Sequence, residues 1–234
     1  MIKINRFEEF GHQAHGWLDA HHHFSFADYY DENKMGFGVL RVVNDDTIEA
    51  HTGFGKHAHH DMEIITYVRK GAITHEDSLG NIGRTAAGDV QVMSAGTGIQ
   101  HAERNEENES TQLFQIWILP SQKGVTPRWD AKQFPREYAV DKLTLLVSGR
   151  EVDQIHKPLF IHQDAAIYGA KIRAGDVIEH HLANPAYLII STGQAELNGQ
   201  LINTRDAAEI TKETHINIQA KTDTELLLIE LPTF

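Results

Sequence analysis

The sequence predicts an all-β chain organised as two similar sandwich- or barrel-like domains, and three observations predict it. Short β-rich runs alternate with turn signals at a spacing of roughly 8–12 residues, the pattern of a sandwich or barrel. Glycine occurs 18 times in 234 residues and interrupts the stretches that a long helix would need. Stretches of the second half also echo stretches of the first.

The chain from His12 to Tyr30 mixes histidines with Trp17, Phe24, Phe26, Tyr29 and Tyr30, without a helical or strand period. An irregular, aromatic-rich arm is expected there, with His21, His22 and His23 solvated. A first strand is predicted over 37–43, closed by the turn signal Asn44-Asp45-Asp46. A second is predicted over 61–69, ending at Lys70-Gly71, where glycine permits the positive φ of a hairpin. Further strands are expected over 72–76, 90–93 and 113–119, between the turns Asp77–Asn81, Ala87-Gly88-Asp89 and the acidic loop 105–110. From Pro120 to about Pro135, Pro120, Gly124, Pro127 and Pro135 predict a connection without regular structure. Strand signals resume over 143–148, 166–172, 187–191, 195–198 and 225–231.

The internal echo is clearest where Gln115-Ile116-Trp117-Ile118-Leu119-Pro120 meets Leu228-Ile229-Glu230-Leu231-Pro232. Tyr67–Gly71 and Leu188–Gly193 echo in the same way. Ala87-Gly88-Asp89-Val90 reappears as Ala174-Gly175-Asp176-Val177, though not at the equivalent place in the fold. The expected division is 1–130 and 131–234.

Charge and composition exclude several functions. The net charge of -12 disfavours nucleic acid, whose phosphates need a basic face, and an anionic membrane surface. Residues 1–6 lack the apolar core of a signal peptide, and apolar runs such as Leu226–Ile229 are far too short to cross a bilayer, so a cytoplasmic location is expected. With no cysteine, disulfides, thiolate nucleophiles and cysteine zinc sites are all absent.

Sixteen histidines point elsewhere. His57-Ala58-His59 and His101-Ala102-Glu103 each place two donors two residues apart, on one face of an extended strand. Side by side, the two strands would hold three imidazoles and one carboxylate around a point. Such a set suits iron, copper, nickel or zinc, and on an octahedral ion it leaves two positions open for substrate and oxygen. Glu63, four positions after His59, is the rival carboxylate. His60, Asp61, His75 and His51 are expected in ordinary strand, turn or solvated roles, and His15 and His21–His23 at the surface. The second half repeats neither triplet; its His180 and His181 are adjacent and point to opposite faces.

These residues carry a family resemblance. His57-Ala58-His59 with Glu63, then Gly88, Gly96, His101 and Asn105, resemble the two motifs of the cupin superfamily. The stretches GFGKHAHHDMEIITYVRKG, HEDSLGN and MSAGTGIQHAERN, with HGWLDAHHHFSFADYYD before them, look like the pirin family within it. Ser94, where cupins often carry proline, and the four residues between Gly96 and His101 are normal for pirins. The resemblance implies a bicupin of two jelly-roll domains, with one metal in the N-terminal domain at His57, His59, His101 and Glu103. It implies iron, with Ni, Co, Cu, Mn or Zn as alternatives, and moves the carboxylate ligand from Glu63 to Glu103. It further implies a quercetin 2,3-dioxygenase, which opens a flavonol ring with O2 and releases carbon monoxide. Other pirins act as interaction partners of proteins, so a metal-dependent regulatory module is the second reading. A sugar-processing cupin ranks last, because Lys56, Arg69 and Arg104 are the only basic groups near the ligands.

For the dioxygenase, the cation would lower the pKa of an aromatic enol hydroxyl, and Glu103 or Glu63 would take the proton. Phe24, Phe26, Phe37 and Met93 are the expected apolar walls.

Overall fold

The computed structural model describes residues 1–134, 137–139 and 141–233, in two compact units. One unit comprises Phe10–Pro135 with Leu159–Gln163; the other comprises Met1–Glu9, Arg136–Pro158 and Asp164–Phe234. A single cut at residue 130 is therefore too simple. Residues 1–9 join the second half because strand β1 (Ile2–Asn5) hydrogen-bonds into that unit's sheet.

In the first unit the strands are β2 (Gly11–Ala14), β3 (Leu18–His22), β4 (Leu40–Ile48), β5 (Gly53–His59), β6 (Glu63–Lys70), β7 (Ala72–Asp77), β8 (Ile82–Ala86), β9 (Val90–Ser94), β10 (Ile99–Arg104), β11 (Thr111–Ile118) and β12 (Arg128–Lys132). They form a seven-stranded sheet, β12-β9-β6-β11-β4-β3-β2, and a four-stranded sheet, β5-β10-β7-β8. The second unit adds β13 (Thr144–Ser148), β14 (Ala166–Ile172), β15 (Val177–His181), β16 (Ala186–Thr192), β17 (Gln194–Leu197), β18 (Gln200–Asn203), β19 (Ala207–Ile210), β20 (His215–Ala220) and β21 (Thr224–Glu230). Its sheets run β1-β19-β16-β21-β14-β13 and β15-β20-β17-β18.

From β12 to β3 the large sheet of the first unit matches that of the second strand for strand, with β2 the extra strand, and the two four-stranded sheets match throughout, which explains the echoes in the sequence. β11 and β21 hold the same place between their neighbours, as do β6 and β16. Each of the latter ends at a glycine with positive φ, Gly71 at 74° and Gly193 at 88°. A Cβ at Gly71 would strike Thr111, and one at Gly193 would strike the backbone at Asp223, so both turns require glycine.

Three expectations are corrected. The 12–30 stretch is not irregular throughout: β2 and β3 form a hairpin that extends the large sheet, and His22 and His23 are buried. Asn44, Asp45 and Asp46 do not turn the chain but continue β4, all three buried. Turn propensity loses there because Asn44 and Asp45 have partners on other strands. Arg69 Nη1 donates to Asp45 Oδ1 at 2.8 Å, and Asn44 Oδ1 lies 2.8 Å from His22 Nδ1. The supposed connection after Pro120 contains β12, which pairs with β9; Pro135 lies outside the described residues.

In the second unit the space between sheets is filled by aliphatic residues such as Leu188, Leu226, Leu228, Ile216 and Ile218. In the first, apolar clusters among the described residues include one of Ile48, Val68, Ile73 and Leu113 and one of Ile64, Met93, Ala95 and Ile99. The inner face of that unit also carries polar side chains, which build the site. Among the described residues no helix is long and apolar enough to cross a membrane.

Candidate metal centre

The site grows from the antiparallel pairing of β5 and β10, in which His57 lies opposite His101 and His59 opposite Ile99. Strand alternation turns His57 and His59 to one side, and His101 and Glu103 to the same side from the facing strand. A register shift between His101 and Glu103 sets Glu103 opposite Phe54. The ring centroids of His57, His59 and His101 are 4.4–5.0 Å apart, and one ligand atom from each ring lies within 4.8 Å of the others.

Hydrogen bonds decide which nitrogens face the centre. His57 Nδ1 donates to the Gly55 carbonyl at 2.7 Å, which leaves Nε2 with its lone pair. The Nε2 atoms of His59 and His101 are buried and have no hydrogen-bond partner among the described residues. His101 Nδ1 lies 3.4 Å from His75 Nδ1, and His75 Nε2 lies 3.1 Å from Asp77 Oδ2. One proton arrangement serves this chain: His75 donates to Asp77, and His101 Nδ1 donates to His75, leaving His101 Nε2 bare. Burial raises the Asp77 carboxyl, but bonds from Asn81, His75 and Leu79 outweigh it and hold the carboxyl below its ordinary value. Burial pushes His59 down to about 4 and His101 down to about 2, with neighbouring histidines adding to the shift. Both rings are neutral at pH 7, the form a metal needs.

Glu103 is fully buried, and burial raises its pKa. Against that, Oε1 accepts from Gln91 Nε2 at 2.7 Å and Thr66 Oγ1 at 3.2 Å, and Oε2 accepts from Gln115 Nε2 at 2.6 Å. Three donors from β9, β6 and β11 thus fix one carboxylate. Glu103 lines the same cavity as the three histidines, although its closest grouping is with His101 and His75. His75 has its own commitments, to Asp77 and to the Trp129 ring stacked on it at 4.9 Å.

Glu63 does not reach this centre, which corrects its expected role as base. Its neighbour Ile64 lines the cavity, and alternation sends Glu63 to the other face of β6. There it accepts from Ser94 Oγ at 2.7 Å, and burial pushes its carboxyl up to about 7.

The cavity has a volume of about 300 Å³. Phe26, Phe54, Ile64 and Trp117 wall it, while Asn44, Asp46 and Gln115 supply polar groups. Of the expected walls only Phe26 serves; Phe24, Phe37 and Met93 are buried elsewhere in the packing. Sequence reading gave His75 only an ordinary strand or turn role, and the cavity-lining Asp46 and Gln115 escaped it because neither belongs to a recognised site motif. Gln115 carries one local signal, its alternation on β11 with Trp117, which lines the same cavity. A second His/Asp group, His12, Asp19 and His21, sits on the outer face of the β2–β3 hairpin. All metal-competent groups among the described residues lie in the first unit.

The fit to a divalent cation rests on the donors themselves. Two buried, unpartnered imidazole nitrogens beside a third ring held in the right tautomer form a site whose polar atoms lack a partner. Imidazole with carboxylate suits first-row divalent ions generally.

Comparison with known proteins finds relatives over nearly the whole chain. Residues 4–118 match the Pirin family, and residues 145–231 match the family described as quercetinase C-terminal cupin domain. A pirin-like protein of Caulobacter vibrioides is 51% identical over 232 residues, covering 98% of this chain and 99% of its own. A quercetin 2,3-dioxygenase of Escherichia coli is 43% identical over 235 residues, covering 99% of each chain. The crystal structure of the Escherichia coli pirin YhhW in complex with nickel(II) superposes with a TM-score of 0.92 at 43% identity, covering 100% of each chain.

Proposed function

Since this chain belongs to the pirin family, a group of two-domain cupin dioxygenases, we propose that it opens the ring of flavonols such as quercetin with O2, releasing carbon monoxide. The observation that carries the reading is the pair of bare, buried nitrogens of His59 and His101 beside His57, at an aromatic-walled cavity. We assign His57, His59, His101 and Glu103 as the ligands of one divalent cation, iron by preference. When bound, the cation supplies Lewis acidity toward an enol hydroxyl and the redox partner that O2 requires.

The rest falls to the chain's own side chains. Glu103, oriented by Gln91, Thr66 and Gln115, stands where it can accept the enol proton. Phe26, Phe54 and Trp117 offer flat apolar surface to a planar ring system and keep water from it. This holds the reacting centre in one orientation, the effect by which positioning lowers a barrier.

Elemental analysis of untagged protein, followed by aerobic and anaerobic quercetin assays with carbon monoxide detection, tests the proposal. His57→Ala and His101→Ala are expected to lose metal and turnover while keeping the wild-type far-UV circular dichroism. Full turnover by metal-free His101→Ala protein would refute it.

A further inference from the structure

Beside Glu103, the cavity presents two oxygen atoms that its own chain leaves unsatisfied. Asp46 Oδ1 and Gln115 Oε1 are buried, and neither has a hydrogen-bond partner among the described residues. Both residues line the cavity. They come from neighbouring strands: Asn44 of β4 lies opposite Gln115 of β11, and Asp46 is two residues further along β4, on the same face. Gln115 is held by its amide, which donates to Glu103, so its oxygen is turned away from that bond. Asn44 is held in turn by His22 at 2.8 Å.

A buried polar atom without a partner costs about 1–3 kcal/mol. A protein that keeps two of them in one binding cavity has a group to receive there. Apolar ligand surface would leave the penalty in place. A hydroxyl relieves it, since its O–H donates to a buried oxygen that has no other donor. The site is also built rather than incidental: Asp46 is 2% exposed and Gln115 6%, on two inner strands of the sheet.

We infer that Asp46 and Gln115 form a subsite that recognises a second hydroxyl of the substrate, distinct from the one presented to the metal ligands. The substrate class this selects is a polyhydroxylated aromatic enol, favoured over its singly hydroxylated parent. The inference rests on the ring-opening reading for its choice of ligand. It does not require turnover, and Asp46 acts in it as a specificity-determining residue.

The test measures binding of quercetin and of 3-hydroxyflavone, the same skeleton with the 3-hydroxyl alone, to nickel-loaded full-length protein under nitrogen. Quenching of tryptophan fluorescence reports occupancy, because Trp117 lines the cavity. Wild-type protein is expected to bind quercetin at least tenfold more tightly. Asp46→Ala is expected to cut the ratio of the two dissociation constants at least fivefold, and Asp46→Asn, which retains a carbonyl oxygen, to restore most of it. If the alanine variant does not fold, Gln115→Met supplies the same comparison of ratios. A ratio near one in wild type, or a ratio unchanged in the variants, overturns the subsite, whatever the enzyme turns over. Discrimination in binding without any quercetin cleavage overturns the ring-opening reaction and leaves the subsite standing. Failure to bind either ligand overturns both.

Discussion

At the scale of single residues, the chain places carboxyl groups of similar sequence context in opposite roles. Glu103 has donors on both oxygens and faces the cavity; Glu63 faces away and is held near neutrality by burial. The second has a measurable consequence. Its native pKa of about 7 lies above the ordinary 4.5, so the native state keeps a proton that the unfolded state releases. Stability from this group is fully present below about 4.5 and is lost as pH rises toward 7, by about 3 kcal/mol at most. Glu63→Gln is therefore expected to gain Tm over wild type as pH goes from 5 to 8; a pH-independent difference would contradict the assignment. His75 and Asp77 stand one step behind His101, a proposed ligand, and fix its tautomer. Asp77→Asn should weaken metal affinity about 10- to 100-fold, read by competition with a chelator, with the fold intact.

At the scale of elements, what matters is which face each strand turns inward. The His-x-His spacing of β5 is legible because alternation is a local property of extended chain. β4 was not legible. Its Asn44-Asp45-Asp46 run has strong turn propensity, and only partners from other strands, Arg69 and His22 among them, make it a strand. The β2–β3 hairpin was hidden for a related reason, since its histidines are packed by contacts that no local window reveals. Hairpin glycines, by contrast, were readable. Gly71→Ala is expected to cost about 1–3 kcal/mol in urea unfolding, because a side chain at positive φ would also strike Thr111.

At the scale of the whole molecule, two units repeat one strand order apart from the extra β2, yet the metal-competent groups among the described residues gather in one. β15 stands where β5 stands in the other unit, but offers His180 and His181 in succession, so they cannot share a face. His180 is instead bonded to Glu230 at 3.0 Å. Metal removal should therefore act locally. Chelation is expected to lower Tm, since metal at a hundred times its Kd stabilises a protein by about 2.7 kcal/mol. Hydrogen exchange should accelerate in 53–59 and 99–104 and stay unchanged in 166–230. Acceleration spread equally over both units would count against a single site.

By itself, the sequence determined the all-β class, the twofold repetition, the exclusion of cysteine chemistry and the two strands that carry His57, His59, His101 and Glu103. These follow from composition and from a period of two, which any short window of chain displays. Only the tertiary structure decided that Glu63 faces away from the cavity, that His75 and Asp77 back His101, and that Asp46 and Gln115 line one cavity with Glu103. Those facts depend on pairing register between strands distant in sequence, where a shift of one residue would turn every side chain to the other face.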